Sequence, residues 1–284
     1  MATDISQIIE NCYPKLSKGQ KKIADALLNE YDKVAFMTAA KLGNLVGVSE
    51  STVVRFANLL GFDGYGEFQS AVHELVKAKL TPNQRIEVTK QRMGRGDIIE
   101  NVMDSDIEKI RYTLGRINRD TFYKSVESIL SAKNIYVMGA RSSEPLAMIL
   151  QYNLSLIFDN VKFIKPTSTP EVLEQMFSIN ENDVLIAFSF PRYSSKMVSA
   201  VKYAAQNKAG VVVFTDSEIS PLAEYATCLL TAQSDMASFM DSFVAPVSII
   251  NAIIVEITRR KEKEIIERFD RLEKVWDEYK VYTK

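Results

Sequence analysis

The chain has 284 residues, which allows two domains with separate cores. Hydrophobic residues make up 46% of it and charged residues 25%, with a formal net charge of −1, and this composition is ordinary for a globular protein. Its N-terminus lacks the basic start and apolar run of a signal peptide, and its most apolar stretch, 243–257, falls short of the roughly 20 apolar residues that span a bilayer. We therefore expect a cytoplasmic protein without a membrane partner, in which Cys12 and Cys228 stay reduced.

The segment 42–56, LGNLVGVSESTVVRF, has the pattern of a helix-turn-helix. Gly43 allows a second helix to pass close to the first, and Gly47 can adopt the positive φ of the turn between them. Val48 is predicted to fill the corner and Ser49 to cap the second helix. Apolar residues recur at helical spacing on the faces predicted to meet the core; they are Leu42, Leu45, Val46, Val53 and Phe56.

The outward side of the second helix is the candidate DNA-binding surface, because in this motif its N-terminal end enters the major groove. An arginine there is well placed for a phosphate or a guanine, although a lone arginine is also common on a solvated surface. The predicted contact residues, placed near the helix N-terminus, are Ser49, Glu50, Ser51, Thr52, Arg55 and Asn58.

Residues 1–80 carry nine basic and nine acidic side chains, so DNA binding would depend on a local basic patch. Lysines cluster at 15, 18, 21 and 22, near the start of a helix predicted from Leu16-Ser17 onward. We take Lys18 and Lys22 as candidate DNA contacts; the alternative is a solvated helix face.

The flanks of the motif carry a family resemblance. The order LSKGQKKIADALL, followed by KLGNLVGVSESTVVRFANLLGFDGYGEF, resembles the N-terminal domain of RpiR-family transcriptional regulators. The resemblance covers residues 1–77 and implies an all-α domain that binds operator DNA. Residues 78–105 contain Pro82, Gly94 and Gly96 among many charges, and we predict a partly helical linker that is most flexible at 93–96.

From residue 106 onward, short apolar strands alternate with helical patterns, which indicates βαβ units and a parallel sheet covered on both faces. Such a five-stranded, flavodoxin-like domain, predicted for 106–258, commonly has the strand order 2-1-3-4-5. A charged amphipathic helix is predicted for 259–284, after a closing helix at 240–257. The predicted strands are 134–138, 161–164, 184–188, 211–214 and 227–230.

In this sheet order, ligands bind where strands 1 and 3 end. Both loops there are rich in hydroxyls, carry an arginine and lead into a helix N-terminus, where free N–H groups attract anions. The alternative is that the serines only cap helices. The predicted ligand-binding residues are Arg141, Ser142, Ser143, Ser189, Arg192, Ser194 and Ser195.

These loops resemble those of the SIS, or sugar isomerase, domain, which normally read Gly-x-Gly-x-Ser and Ser-x-Ser-Gly-x-Thr. Arg141 replaces the second glycine of the first pattern, and Pro191 and Arg192 replace a serine and a glycine of the second. Proline removes a hydroxyl and a backbone donor, whereas the arginines add charge, so the resemblance implies a variant anion site. The matching positions are Gly139, Ser143, Ser189 and, with serine for threonine, Ser194.

An RpiR-type helix-turn-helix followed by a SIS domain implies a transcriptional regulator that senses a sugar phosphate or related anionic metabolite. One recognition helix reads only a half-site, so we expect a homodimer or homotetramer on double-stranded operator DNA. One alternative is a regulator whose SIS domain binds no ligand and only oligomerises.

The other alternative is a sugar-phosphate isomerase with an accessory helical domain. Such isomerases need a base, usually a glutamate, and often a histidine to open the sugar ring. The single histidine, His73, lies in the predicted DNA-binding domain, and Glu144 and Glu218 are more simply read as cap or solvated carboxylates. We therefore expect no enzyme activity and no catalytic residues, and we find no metal-ligand spacing and no motif for a cofactor.

Overall fold

The computed structural model describes residues 5–29, 34–35, 37–79, 81–93, 96–235 and 238–282. They belong to two compact units, one of Met1–Gly96 with Met236–Met240 and the other of Asp97–Asp235 with Asp241–Lys284. Of the predicted flexible point at 93–96, residues 94 and 95 lie outside the described ranges. Within those ranges no helix is long and apolar enough to cross a membrane.

The described secondary structure of the N-terminal unit is helical. The second helix begins at Lys18, directly after the predicted opening pair Leu16-Ser17. Ser17 and Gln20 form reciprocal bonds at this end: the Gln20 N–H donates to Ser17 Oγ at 3.4 Å, and the Ser17 N–H donates to Gln20 Oε1 at 3.0 Å. The helices are α1 (Ile5–Cys12), α2 (Lys18–Asn29), α3 (Ala39–Val46), α4 (Glu50–Leu59), α5 (Gly64–Lys79) and α6 (Pro82–Met93).

An aromatic cluster holds α4 against α5. The ring of Phe68 lies 6.0 Å from Phe56, 5.4 Å from Phe62 and 5.9 Å from Tyr65, measured between centroids. Tyr65 also donates its hydroxyl to the carbonyl of Met37 at 2.7 Å, and burial raises its pKa to about 12. This packing fixes which side of α4 faces the core and which side stays exposed.

The C-terminal unit is an α/β fold. Its helices are α7 (Ile98–Arg116), α8 (Arg119–Ser131), α9 (Glu144–Ile157), α10 (Thr169–Gln175), α11 (Ser195–Gln206), α12 (Val244–Arg260) and α13 (Glu262–Glu278). Its strands are β1 (Ile135–Gly139), β2 (Val161–Phe163), β3 (Val184–Phe188), β4 (Gly210–Thr215) and β5 (Cys228–Thr231). The closing helix thus begins at Val244 rather than at the predicted 240, and it ends at Arg260, just before α13.

The sheet has the order β2-β1-β3-β4-β5 with every pair parallel, which confirms the predicted fold class and strand order. Helices α8, α9 and α12 pack on one face of the sheet, and α10 and α11 pack on the other. The connection after β1 therefore leaves toward one face and the connection after β3 toward the opposite face. This divergence leaves a crevice at the carboxyl ends of the two central strands.

Candidate functional site

The turn between α3 and α4 is built around two glycines. Gly47 has φ +69°, the left-handed conformation that the sequence predicted for it. A Cβ added to Gly43 would lie 2.8 Å from the carbonyl oxygen of Val48 and 3.4 Å from the amide nitrogen of Glu50. The close approach of the two helices therefore depends on glycine at position 43, as predicted.

The predicted core face of the motif is mostly confirmed. Leu42, Val53 and Phe56 are fully buried, and Val46 and Val48 pack partly buried against the same core. The prediction for Leu45 is wrong, because its side chain is 54% exposed. Leu45 follows Leu42 at helical spacing. However, α3 is short, and the side that packs against the described core is the side of Leu42 rather than that of Leu45.

The N-terminal end of α4 presents a cluster of hydroxyls. Ser49 caps the helix as predicted, with its Oγ accepting from the Thr52 N–H at 3.3 Å. The same oxygen lies 2.9 Å from Ser51 Oγ and 2.8 Å from Thr52 Oγ1. Glu50, Ser51 and Arg55 are exposed, and Arg55 donates Nε–H to the Ser51 carbonyl at 3.2 Å. The guanidinium is thereby turned toward the helix end that enters the groove in this motif.

Asn58 is exposed but does not lie near the N-terminus of the recognition helix, so this part of the prediction is wrong. It is the next-to-last residue of α4, and its Oδ1 accepts from the Gly64 N–H at 3.0 Å. Its carboxamide therefore supports the turn into α5.

Two lysines of α2 lie beside the turn. Gly19 of α2 lies against the turn and the start of α4, since a Cβ there would lie 3.4 Å from Val48 Cγ1 and 3.7 Å from Thr52 Cγ2. Lys22 Nζ lies 3.8 Å from the position that a Cβ on Gly47 would occupy, and Lys18 is exposed one turn earlier on α2. Lys21 differs, because its ammonium lies 5.4 Å from the centroid of the Tyr13 ring. The structure thus places Lys22 beside the turn of the motif, with Lys18 four residues earlier on the same helix.

The second candidate site lies at the carboxyl ends of β1 and β3. Gly139 pairs with Phe188 in the parallel register, so the loops that carry the predicted ligand residues start side by side. A Cβ on Gly139 would meet the backbone of Ser143, whose carbonyl carbon lies 2.9 Å from that position. The first loop therefore folds tightly over the end of β1 and forms a turn of 3₁₀ helix at Arg141–Ser143.

Both arginines of this site have left-handed backbone, with φ +56° at Arg141 and +67° at Arg192. These are the two positions at which the SIS patterns have glycine. A left-handed conformation costs a residue with a Cβ roughly 1–2 kcal/mol, which explains why glycine is usual there. In this chain arginine adopts the left-handed conformation at both positions, and both arginines are exposed.

The predicted ligand-binding serines differ in how deeply they are buried. Ser143 and Ser189 are buried, Ser194 is partly buried, and Ser142 and Ser195 are exposed. Ser143 and Ser194 occupy the positions before α9 and α11, yet neither side chain caps its helix. The capping alternative therefore does not describe these two hydroxyls.

Sequence reasoning missed a hydrogen-bonded pair that joins the β3 loop to the end of β4. Tyr193 donates its hydroxyl to Asp216 Oδ1 at 2.8 Å, and Thr215 Oγ1 lies 3.2 Å from the same oxygen. Asp216 Oδ2 is buried and has no hydrogen-bond partner among the described residues. A polar residue directly after an apolar strand was the available signal. No cluster of metal-ligating side chains occurs within the described ranges.

A helix-turn-helix with an exposed recognition helix, followed by a parallel α/β domain, defines a two-domain transcriptional regulator. Residues 3–79 match the model of the helix-turn-helix domain of the rpiR family, and residues 128–256 match the SIS domain model. Together the two matches span more than half of the chain. The chain belongs to the RpiR family of transcriptional regulators.

Relatives match over nearly the whole length. The chain is 23% identical to the HTH-type transcriptional regulator CPE0189 of Clostridium perfringens over 93% of this chain and 95% of that protein. It is 23% identical to the HTH-type transcriptional regulator HexR of Escherichia coli over 95% of this chain and 93% of HexR. Its fold is similar to that of the Vibrio vulnificus NanR protein complexed with ManNAc-6P, with a TM-score of 0.61, 20% identity and coverage of 97% of this chain and 99% of NanR.

Proposed function

We propose that this regulator binds a sugar phosphate or related anionic metabolite at the carboxyl ends of β1 and β3, and that this ligand controls its binding to operator DNA. The observation that carries the proposal is the pair of left-handed arginines beside serine hydroxyls that cap no helix. The protein acts in the cytoplasm and not as an enzyme. Its parts are a DNA-binding domain at 1–77, a linker at 78–105, a SIS domain at 106–258 and a C-terminal helix at 259–284.

On the DNA side, α4 enters the major groove with its N-terminal end. Arg55 contacts a guanine or a phosphate, while Ser51 and Thr52 donate to base edges or phosphates, with Ser49 and Glu50 at the same helix end. Lys18 and Lys22 contact the phosphates beside the turn, which supplies the local positive charge that a balanced domain otherwise lacks. A homodimer or homotetramer would present paired recognition helices to two half-sites.

On the ligand side, the buried hydroxyls of Ser143 and Ser189 lie deepest in the crevice and donate to the oxygens of the anion. Arg141 and Arg192 close over it from the solvent side, since each guanidinium can bond two oxygens at once. Ser142, Ser194 and Ser195 complete the site at the N-terminal ends of α9 and α11, where the helix dipole favours negative charge. The NanR structure, which contains ManNAc-6P, is consistent with a phosphorylated sugar at a domain of this fold.

Control of DNA binding would be a population shift. The ligand prefers one arrangement of the subunits, and that arrangement sets the spacing of the recognition helices. A ligand that binds both arrangements equally would change nothing, however tightly it bound.

The ligand half of the proposal is tested by a thermal-shift screen of the full chain against phosphorylated sugars and sugar acids. Arg192→Ala and Ser143→Ala are run beside the wild type, and Ser128→Ala, at a partly buried position of α8, is the control. We expect a stabilising compound that acts on the wild type and the control but on neither site variant. A compound that stabilises all four proteins equally would contradict the site.

The DNA half is tested by selection of bound genomic fragments, followed by gel retardation with and without that compound. We expect a palindromic or repeated sequence, retarded by the wild type and not by Arg55→Ala. Absence of any sequence preference would overturn the proposal. Turnover of a sugar phosphate that is abolished by Glu144→Gln or Glu218→Gln would instead establish an isomerase.

A further inference from the structure

Helix α7 carries an apolar stripe that is exposed to solvent. Its five residues follow one another at spacings of four or three, with exposed fractions from 37% at Ile110 to 70% at Ile99. The positions of α7 that are buried are instead polar, namely Lys109 and Thr113. A continuous apolar stripe on a solvent-facing helix is typical of a protein contact. The stripe consists of Ile99, Met103, Ile107, Ile110 and Leu114.

The C-terminal half of the stripe opens onto a groove. Ile110 and Leu114 line a cavity of about 360 Å³ together with Tyr123 of α8 and with Ala252 and Val255 of α12. Val255 is 67% exposed although α12 is largely apolar. The stripe and the groove therefore form one surface, which extends from α7 across to α12.

The charges along α7 indicate what covers this surface. The exposed charged residues of its first half, Glu100 and Asp104, are acidic, whereas its second half carries Glu108 together with the basic residues Arg111 and Arg116. The helix dipole favours acidic residues in the first turn and basic residues in the last turn, but not elsewhere in the helix. It therefore accounts for Glu100 and Arg116 but not for Asp104 or Arg111. Asp104 and Arg111 are seven residues apart, which places them on the same flank of the stripe.

We propose that α7 pairs in antiparallel orientation with α7 of a second copy of this chain. A two-fold axis near Ile107 lets the stripe pack on itself and places Asp104 of each copy beside Arg111 of the other. Parallel pairing would instead place Asp104 of each copy beside Asp104 of the other, and Arg111 beside Arg111. The need for a second copy rests on the proposed function, whereas the choice of surface rests on the stripe, the groove and the charges.

The test is sedimentation of the full chain, without DNA, over a concentration series. Asp104→Arg and Arg111→Asp should each weaken dimerisation roughly tenfold or more, because each reversal creates two like-charge contacts across the axis. The double variant Asp104→Arg/Arg111→Asp restores both pairs and should dimerise nearly as the wild type does. The matched control is Glu108→Arg, an equal charge reversal on the same helix but turned away from the stripe.

A wild type that stays monomeric, single reversals that leave dimerisation unchanged, or a double variant that is not restored would each overturn the proposed pairing. Circular dichroism verifies that each variant is folded, which is expected because Asp104, Glu108 and Arg111 are all exposed. Operator binding is measured separately. A wild type that dimerises through α7 but shows no sequence preference for DNA would refute the proposed function and leave the interface standing.

Discussion

Replacement of Gly43 by alanine tests the packing of the helix-turn-helix most directly. Two effects of the added methyl group oppose each other. Alanine is favoured over glycine within a helix by about 1 kcal/mol. However, the new Cβ would lie 2.8 Å from the Val48 carbonyl oxygen and 3.4 Å from the Glu50 amide nitrogen, and both atoms belong to the backbone.

The steric effect should win. No flexible side chain can turn away, so the turn and the start of α4 must shift, and overpacking of this kind costs about 1–3 kcal/mol. After the gain in helix propensity is subtracted, we expect the N-terminal unit to lose up to about 2 kcal/mol of unfolding free energy. Operator affinity should fall as well, because the shift displaces the end of α4 that carries Ser51 and Arg55.

The control is Gly66→Ala, since a Cβ on this exposed glycine of α5 would have no atom within 4 Å. Urea unfolding is followed by far-ultraviolet circular dichroism for both units and by the fluorescence of the single tryptophan, Trp276, which lies in α13 and reports on the C-terminal unit. A Gly43→Ala protein as stable as Gly66→Ala would refute the reasoning, because it would mean that the close approach of α3 and α4 can relax without cost.

Three further predictions concern single residues. Ser49→Asp should keep the helix cap and the stability, but it should lower operator affinity roughly tenfold or more, because the new negative charge would face the phosphates. Ser49→Ala should lose about 1 kcal/mol of stability. Urea unfolding measures the effect on stability, and gel retardation measures the effect on operator affinity. Arg192→Gly should change the unfolding free energy by less than about 1 kcal/mol, because relief of left-handed strain in the folded state offsets the greater entropy that glycine gives to the unfolded chain. The same variant should remove the thermal shift caused by the ligand. Hydrogen bonds from Arg259 and Arg260 lower the pKa of Glu256 from 4.5 to about 2. The contribution of Glu256 to stability is therefore complete above pH 4.5 and is lost as the pH falls toward 2. Acid unfolding of Glu256→Gln should lack this pH-dependent loss, and an acid-unfolding profile like that of the wild type would contradict the assignment.

The variant anion site shows how sequence and structure complement each other. The SIS resemblance identified Arg141 and Arg192 as departures at glycine positions. Only the structure shows that the backbone at both positions is left-handed, with φ +56° and +67°. These conformations are the ones that glycine adopts most readily, so the loops place charged side chains at positions suited to glycine.

Local sequence patterns were sufficient to predict the helix-turn-helix and the parallel sheet. The two glycines and the cap of the motif are local requirements of turn geometry, and the alternation of strands and helices indicates a parallel sheet, for which the order 2-1-3-4-5 is common. Each of these features depends on residues close in sequence, where φ, helical spacing and strand length are set by local sterics.

Contacts between elements distant in sequence were decided only by tertiary structure. Leu45 has helical core spacing but is exposed, and Asn58 was predicted near the N-terminus of α4 but lies at its C-terminal end, where it supports the turn at Gly64. The Tyr193–Asp216 bond joins residues 23 positions apart, and the stripe of α7 is exposed while Lys109 and Thr113 are buried. The sequence determined which segments form helices and strands and which loops are rich in anion-binding groups. Which face of each helix meets the core depends on the long-range packing of side chains, and one element's periodicity does not contain that information.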